Sequence, residues 1–281
     1  MTLNISSENI YGQCSTKCHY GFSYQESNCI AQNDGFSIKI TYDKSNLNPV
    51  VYNNNKYVVQ DINIYAPSIH NFNGAATDAE IVISHYPEIT GGPLNVSIPI
   101  ILSGNTTQAS SLITGIIEGV ANGAPTQGES VSISLDNFTL NTIVPKNPFY
   151  AYTDGSNENW IVYGKEYAIS LVDETIKKLQ QIIIPLNYIK CPNDPVLFFN
   201  QKGPLNSAIT SNDIYIDCQP TGSSEEETTT TTTTSENDLF KNPTFQSFLS
   251  ILIIIVFFMV LLVGVYYGFT AFTQSQLISP H

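Results

Sequence analysis

Residues 56–86 read KYVVQDINIYAPSIHNFNGAATDAEIVISHY. Two runs, KYVVQDINIY (56–65) and AEIVISHY (79–86), alternate apolar with polar residues around a turn-forming stretch that holds Pro67, Ser68 and Gly74. Val, Ile and Tyr at a period of two suit half-buried strands. Residues two apart on a strand face the same way. Asn63 and Tyr65 therefore project together, and Val82 is expected to join them from the neighbouring strand. His85 shares the opposite face with Ile81 and Ile83, which predicts a histidine packed in the core.

The same signals recur on both sides. FSIKITYD (36–43), LNVSIPIIL (94–102), SVSISLD (130–136) and NWIVYGKEYAIS (159–170) read as further strands, with Gly, Pro, Asn and Asp clustered between them. Helices are expected at residues 109–120, where apolar residues recur near helical spacing, and at 173–181. The latter opens on acids and carries Lys177 and Lys178 near its end, as the helix dipole favours. Strands with inserted helices and no βαβ repetition predict a mainly β fold: one large, mostly antiparallel twisted sheet with a few helices.

The stretch from Pro67 to His85 resembles the zinc-binding core of the α-carbonic anhydrases. That core places two histidines two apart on one strand, then a Pro-Ser-Glu-His turn, a Gly, a Glu, and a third histidine two residues after that Glu. Here the turn is Pro67, Ser68, Ile69 and His70; Gly74 and Glu80 follow in step. CIAQNDGFSIKI (29–40), FYAY (149–152), NWIV (159–162) and Ile169-Ser170 are similar to other family segments, so the resemblance covers roughly residues 10–190.

The resemblance implies an enzyme scaffold without its metal. Asn63, Tyr65 and Val82 stand where the family places its three imidazoles. Ile69 replaces the turn glutamate, and Glu80 is retained with no ligand histidine to orient. No counterpart of the Leu-Thr-Thr-Pro-Pro loop lies between Tyr152 and Asn159. A catalytic zinc needs three protein ligands and an open water position. Without zinc nothing brings the pKa of a bound water towards 7. These five positions are therefore read as vestigial, with no catalytic residue, no cofactor and no metal. The alternative is an active zinc hydratase with displaced ligands. No G-x-S-x-G elbow supports a serine hydrolase.

The formal charge is −13, with eleven Lys and no Arg. Lack of Arg argues against nucleic acid as a partner, because bidentate phosphate and guanine contacts favour it. Residues 1–218 carry ten Lys against nineteen Asp and Glu. Such a domain repels polyanions unless its lysines cluster. Five cysteines occur, Cys14, Cys18, Cys29, Cys191 and Cys218. The CSTKC run with His19 admits part of a zinc site, free thiols or a local disulfide, although no second ligand pair follows at zinc-like spacing, and Cys191 with Cys218 frames a second possible staple. Asn-X-Ser/Thr sequons begin at Asn4, Asn95, Asn105 and Asn137.

The sequence divides into an anhydrase-like domain (1–218), a Thr- and Glu-rich stalk (219–247), an apolar segment (248–272) and a short tail (273–281). The stalk includes seven consecutive threonines, Thr228 to Thr234, and has almost nothing to bury. Phe248 to Phe272 contains no charge and would span roughly 37 Å as a helix, enough to cross a hydrocarbon core of ~30 Å. The start, MTLNISSENI, lacks the basic end and apolar run of a signal peptide. The segment is therefore expected to insert after synthesis, with the domain on the cytosolic side. This layout resembles an inactive viral branch of the family found on poxvirus particles. The resemblance implies a single-pass virion membrane protein whose partner is a host-cell surface molecule or a capsid protein. A protist membrane adhesin is the other membrane reading.

Overall fold

The computed structural model describes residues 3–15, 17–43, 48–186 and 195–205. All lie within the first of the chain's two units, Met1–Thr230. The expected stalk, apolar segment and tail, with Cys191 and Cys218, lie outside the described residues. Among the described residues no helix is long and apolar enough to cross a membrane.

The strands in chain order are β1 (Asn4–Ile5), β2 (Ile10–Gln13), β3 (Tyr20–Phe22), β4 (Cys29–Asn33), β5 (Ile38–Thr41), β6 (Val50–Tyr52), β7 (Asn55–Tyr65) and β8 (Asn71–Phe72). They continue as β9 (Ala75–Ala76), β10 (Ala79–Pro87), β11 (Leu94–Leu102), β12 (Ser130–Ile133), β13 (Phe149–Thr153), β14 (Asn159–Tyr163), β15 (Ile169–Leu171) and β16 (Leu197–Asn200). Thirteen of them form one sheet along the path β12-β4-β5-β7-β10-β11-β14-β13-β16-β2, with β15 beside β11, β6 beside β7 and β3 beside β6. Most pairs are antiparallel; β11 runs parallel to β14 and β15, and β16 parallel to β2. The run 159–170, expected as one strand, is two. A 3-10 turn at Lys165–Tyr167 divides it, and both halves pair with β11.

One face of the sheet is a ladder of β-branched residues. Ile38 pairs with Ile64, Ile64 with Ile81 and Ile81 with Ile98; the next rung joins Ile40, Ile62, Ile83 and Val96. All eight are fully buried. Cross-strand pairs of this kind set the register, because a slip by one residue would turn the whole set outward. α1 (Gln108–Gly123) and α2 (Asp173–Ile182) cover this face with Leu112, Ile113, Ile116, Ile117, Val120, Ile176 and Leu179. Thr107 starts α1: its hydroxyl accepts from the Ser110 amide at 3.1 Å.

The alternation along β7 changes parity. Tyr57 and Val59 point inward, and so do Ile62 and Ile64, while Gln60 and Asp61 are both half-buried. The β7–β10 register shifts there, with Ser84 opposite Asp61 and His85 opposite Val59. This bulge keeps both ends of an eleven-residue strand facing one core.

Candidate functional site

The second face of the sheet is polar where the first is aliphatic. Across it run Asn63, Val82, Ser97 and Val162 in one row, and Asp61, Ser84, Asn95 and Trp160 in another. Tyr65 lies opposite Glu80. The pleat of two adjacent strands thus brings Asn63, Tyr65, Val82 and Glu80 together, and the turn after β7 sets Ile69 and His70 above them.

Glu80 is the centre of this face and is fully buried. Its Oε2 accepts from the backbone amides of Ile69 (2.7 Å) and His70 (3.0 Å). Its Oε1 accepts from the Ser97 hydroxyl and lies 2.5 Å from His70 Nδ1. Burial pushes the carboxyl up more than any other single influence. The charge of His70, with the hydrogen bonds from His70 and Ser97, outweighs it and holds Glu80 below its ordinary range. With Glu80 ionised, His70 Nδ1 donates to it. His70 Nε2 lies 2.8 Å from the Tyr152 hydroxyl, and the ring packs edge-on against Trp160, which stacks on Tyr152. His70 is 3% exposed. This carboxylate–imidazole–phenol chain has the connectivity of a general base; Glu80 and His70 are buried, and Tyr152 lines the cleft beside the Cys14–Cys18 disulfide.

The three positions expected to lack ligands have other engagements. Asn63 Oδ1 accepts from Ser37 Oγ at 3.0 Å. Val82 is 4% exposed and presents only methyl groups. Burial, aided by Asp34, Asp61 and Glu80, pushes the Tyr65 phenol up to about 12, so it is neutral at ordinary pH. Both oxygens of Glu80 are spoken for. These residues do not fit a catalytic zinc, which needs three donors and an open position. Among the described residues no group of three or more His, Cys, Asp and Glu could hold a metal ion.

His85 sits on the opposite face, in the aliphatic core, fully buried. Its Nδ1 donates to the Leu94 carbonyl (3.0 Å), and its Nε2 accepts from the Tyr24 hydroxyl (3.0 Å). Burial pulls its pKa down to about 4, so the ring is neutral. Tyr20 and Tyr24 extend the chain, hydroxyl to hydroxyl, at 3.3 Å.

Cys14 and Cys18 are joined in a disulfide, Cα to Cα 5.4 Å, while Cys29 is a buried free thiol. The CSTKC run is therefore a local staple. The sequon residue Asn95 is buried in β11; its carboxamide accepts from Ser84 and donates to Glu158.

No protein-family model matches this chain, and no curated protein matches it in sequence. Solved structures do. A halotolerant carbonic anhydrase from Dunaliella salina superposes with a TM-score of 0.55 at 14% identity, over 71% of this chain and 86% of the other. A hyperthermostable carbonic anhydrase identified from a hydrothermal vent chimney gives 0.53 at 18%, over 72% and 87%. The chain has the α-carbonic anhydrase fold. The fold is also matched by dioscorin, solved with ascorbate, at a TM-score of 0.53 and 16% identity over 74% of this chain and 87% of that one. Within the α-carbonic anhydrase fold, sequence reasoning located β7 and β10 and missed the hydrogen-bonded chain around Glu80 and His70. Ser97 and Tyr152 lie 17 and 72 residues beyond it, on strands whose neighbours no local pattern reveals.

Proposed function

We propose that this chain is a metal-free member of the α-carbonic anhydrase fold, held at a membrane by its C-terminal apolar segment and used for binding rather than catalysis. The supporting observation is the donor set on β7 and β10. Asn63 is engaged by Ser37, Tyr65 is a neutral phenol, and Val82 has no donor at all. Glu80, which the family resemblance associates with orienting a ligand, instead anchors the Ile69–His70 turn.

The placement on a virion membrane, with a host-surface molecule or a capsid protein as partner, rests on the segment 248–272, the Thr-rich stalk before it and the resemblance to the viral branch. The Cys14–Cys18 disulfide favours an oxidising exterior over reducing cytosol as the domain's working environment.

Elemental analysis of the purified chain tests the metal-free reading. Zinc well below one atom per chain, with no carbon dioxide hydration above the buffer rate, is expected. Stoichiometric zinc with hydratase activity would overturn it. Protease protection of intact particles tests the topology: digestion of the domain from outside is expected, and full protection would count against a surface role.

A further inference from the structure

We infer that Asn105 and Asn137 carry N-linked glycans and that Asn4 and Asn95 do not. All four begin an Asn-X-Ser/Thr run, the acceptor pattern for an oligosaccharide added to the carboxamide nitrogen. The run alone does not choose among them; position in the fold does, because the added group is bulky and needs solvent. The inference rests on the exterior-facing reading above, since such glycans are added in the same oxidising lumen that forms disulfides like Cys14–Cys18.

Two of the four runs are built into the sheets. Asn95 is 4% exposed, on β11 between β10 and β14. Its carboxamide nitrogen donates to Glu158 at 2.9 Å, and its oxygen accepts from Ser84 at 2.8 Å. The hydroxyl of its run, on Ser97, is fully buried and donates to Glu80. A glycan on the Asn95 nitrogen would break the Glu158 contact and would have no solvent to enter. Asn4 is half-buried in β1, where its side-chain oxygen accepts from the Gly74 amide at 2.8 Å. The other two residues of its run, Ile5 and Ser6, are buried.

Asn105 and Asn137 are exposed. Asn105 lies in the loop between β11 and α1, where residues 104–108 are all exposed and a Cβ at Gly104 would meet nothing within 4 Å. The hydroxyl of its run belongs to Thr107, the cap of α1. Asn137 follows β12 in the left-handed region, at φ 54°. Phe138 beside it is buried in the core while Asn137 stays outside. The two loops also approach the same half of α1. The glycines of that helix face the β12 segment in reverse order: Gly123 against Val131, Gly119 against Ile133 and Gly115 against Leu135. The chain after β12 therefore runs towards the N-terminal half of α1, which the Asn105 loop enters. Asn137 is two residues past Leu135, at most about 7 Å away.

The full chain, expressed in a eukaryotic cell and recovered with its membranes, tests the assignment. Peptide N-glycosidase F in heavy-oxygen water converts each glycan-bearing Asn to a labelled Asp, which mass spectrometry locates. Label at Asn105 and Asn137, with none at Asn4 or Asn95, is expected, together with a two-step gel shift. Asn105→Gln and Asn137→Asp should each remove one step, and the double variant both; Asp is chosen at 137 because it tolerates the left-handed backbone. Label missing from either loop, label at Asn4 or Asn95, or a shift that survives the double variant overturns the inference. Protease added to the sealed membranes reads the sidedness separately. A domain digested from the cytosolic side overturns the exterior reading along with the inference. A protected domain without glycan overturns the inference alone.

Discussion

At the scale of single residues, two histidines of this chain have opposite environments. His85 is enclosed by aliphatic side chains, with a carbonyl on one nitrogen and a phenol on the other. Burial pulls its pKa from 6.5 to about 4. Below pH 6.5 the unfolded chain binds a proton that the folded chain refuses, so stability falls as the pH drops from 6.5 towards 4 and is complete above that window. The loss is on the order of 3 kcal/mol across the window. Urea unfolding at stepped pH should show this slope, and His85→Gln should flatten it. His70 is tied instead to Glu80, whose carboxyl is held below its ordinary value of 4.5. That contribution is present above pH 4.5 and is lost as the pH falls through the lower folded value. Glu80→Gln keeps the shape but faces an amide nitrogen towards existing donors. We expect it to cost about 3 kcal/mol in urea unfolding, because one partner of a buried pair is removed.

At the scale of elements, the polar and aliphatic faces of the sheet require the β7 bulge, and α1 requires its glycines. Gly115, Gly119 and Gly123 recur every four residues on one side of the helix. A Cβ at Gly119 would lie 2.7 Å from the Ile133 side chain, and one at Gly123 2.8 Å from Val131. Their absence lets the helix settle on β12, at the edge of the sheet. Elsewhere in a helix a glycine is a liability of about 1 kcal/mol relative to alanine. Here contact with the sheet reverses the sign for larger residues. Gly119→Val should lower stability by about 2 kcal/mol through overpacking, read as a drop in the urea midpoint at unchanged slope.

At the scale of the whole molecule, the described part of the chain has the α-carbonic anhydrase fold, and the positions that the resemblance assigns to a metal hold an engaged amide, a phenol and a valine. The proposed metal-free reading makes the fold indifferent to metal removal. Dialysis against a strong chelator is expected to leave the thermal melting curve unchanged; a shift of several degrees would show metal-linked folding. The strands around Pro67 were legible because alternation and turn residues are local signals. So was the absence of imidazole at residues 63, 65 and 82, because spacing along a strand dictates which side chains share a face. The network around Glu80 was not legible. Its members come from the turn after β7, from β11 and from β13, and strand order is set by how the sheet closes its core. The disulfide stood among open alternatives until Cys14 and Cys18 were placed 5.4 Å apart, Cα to Cα.

By itself, then, the sequence determined the two periodic runs, the residue types at positions 63, 65 and 82 and the uncharged segment 248–272, since each depends only on residues near one another along the chain. The tertiary structure alone decided that Glu80, His70, Ser97 and Tyr152 meet, that His85 is neutral and walled in, and that a cleft opens beside Cys14 and Cys18. Burial and long-range hydrogen bonding arise only when distant strands are brought together, and no local pattern carries that information.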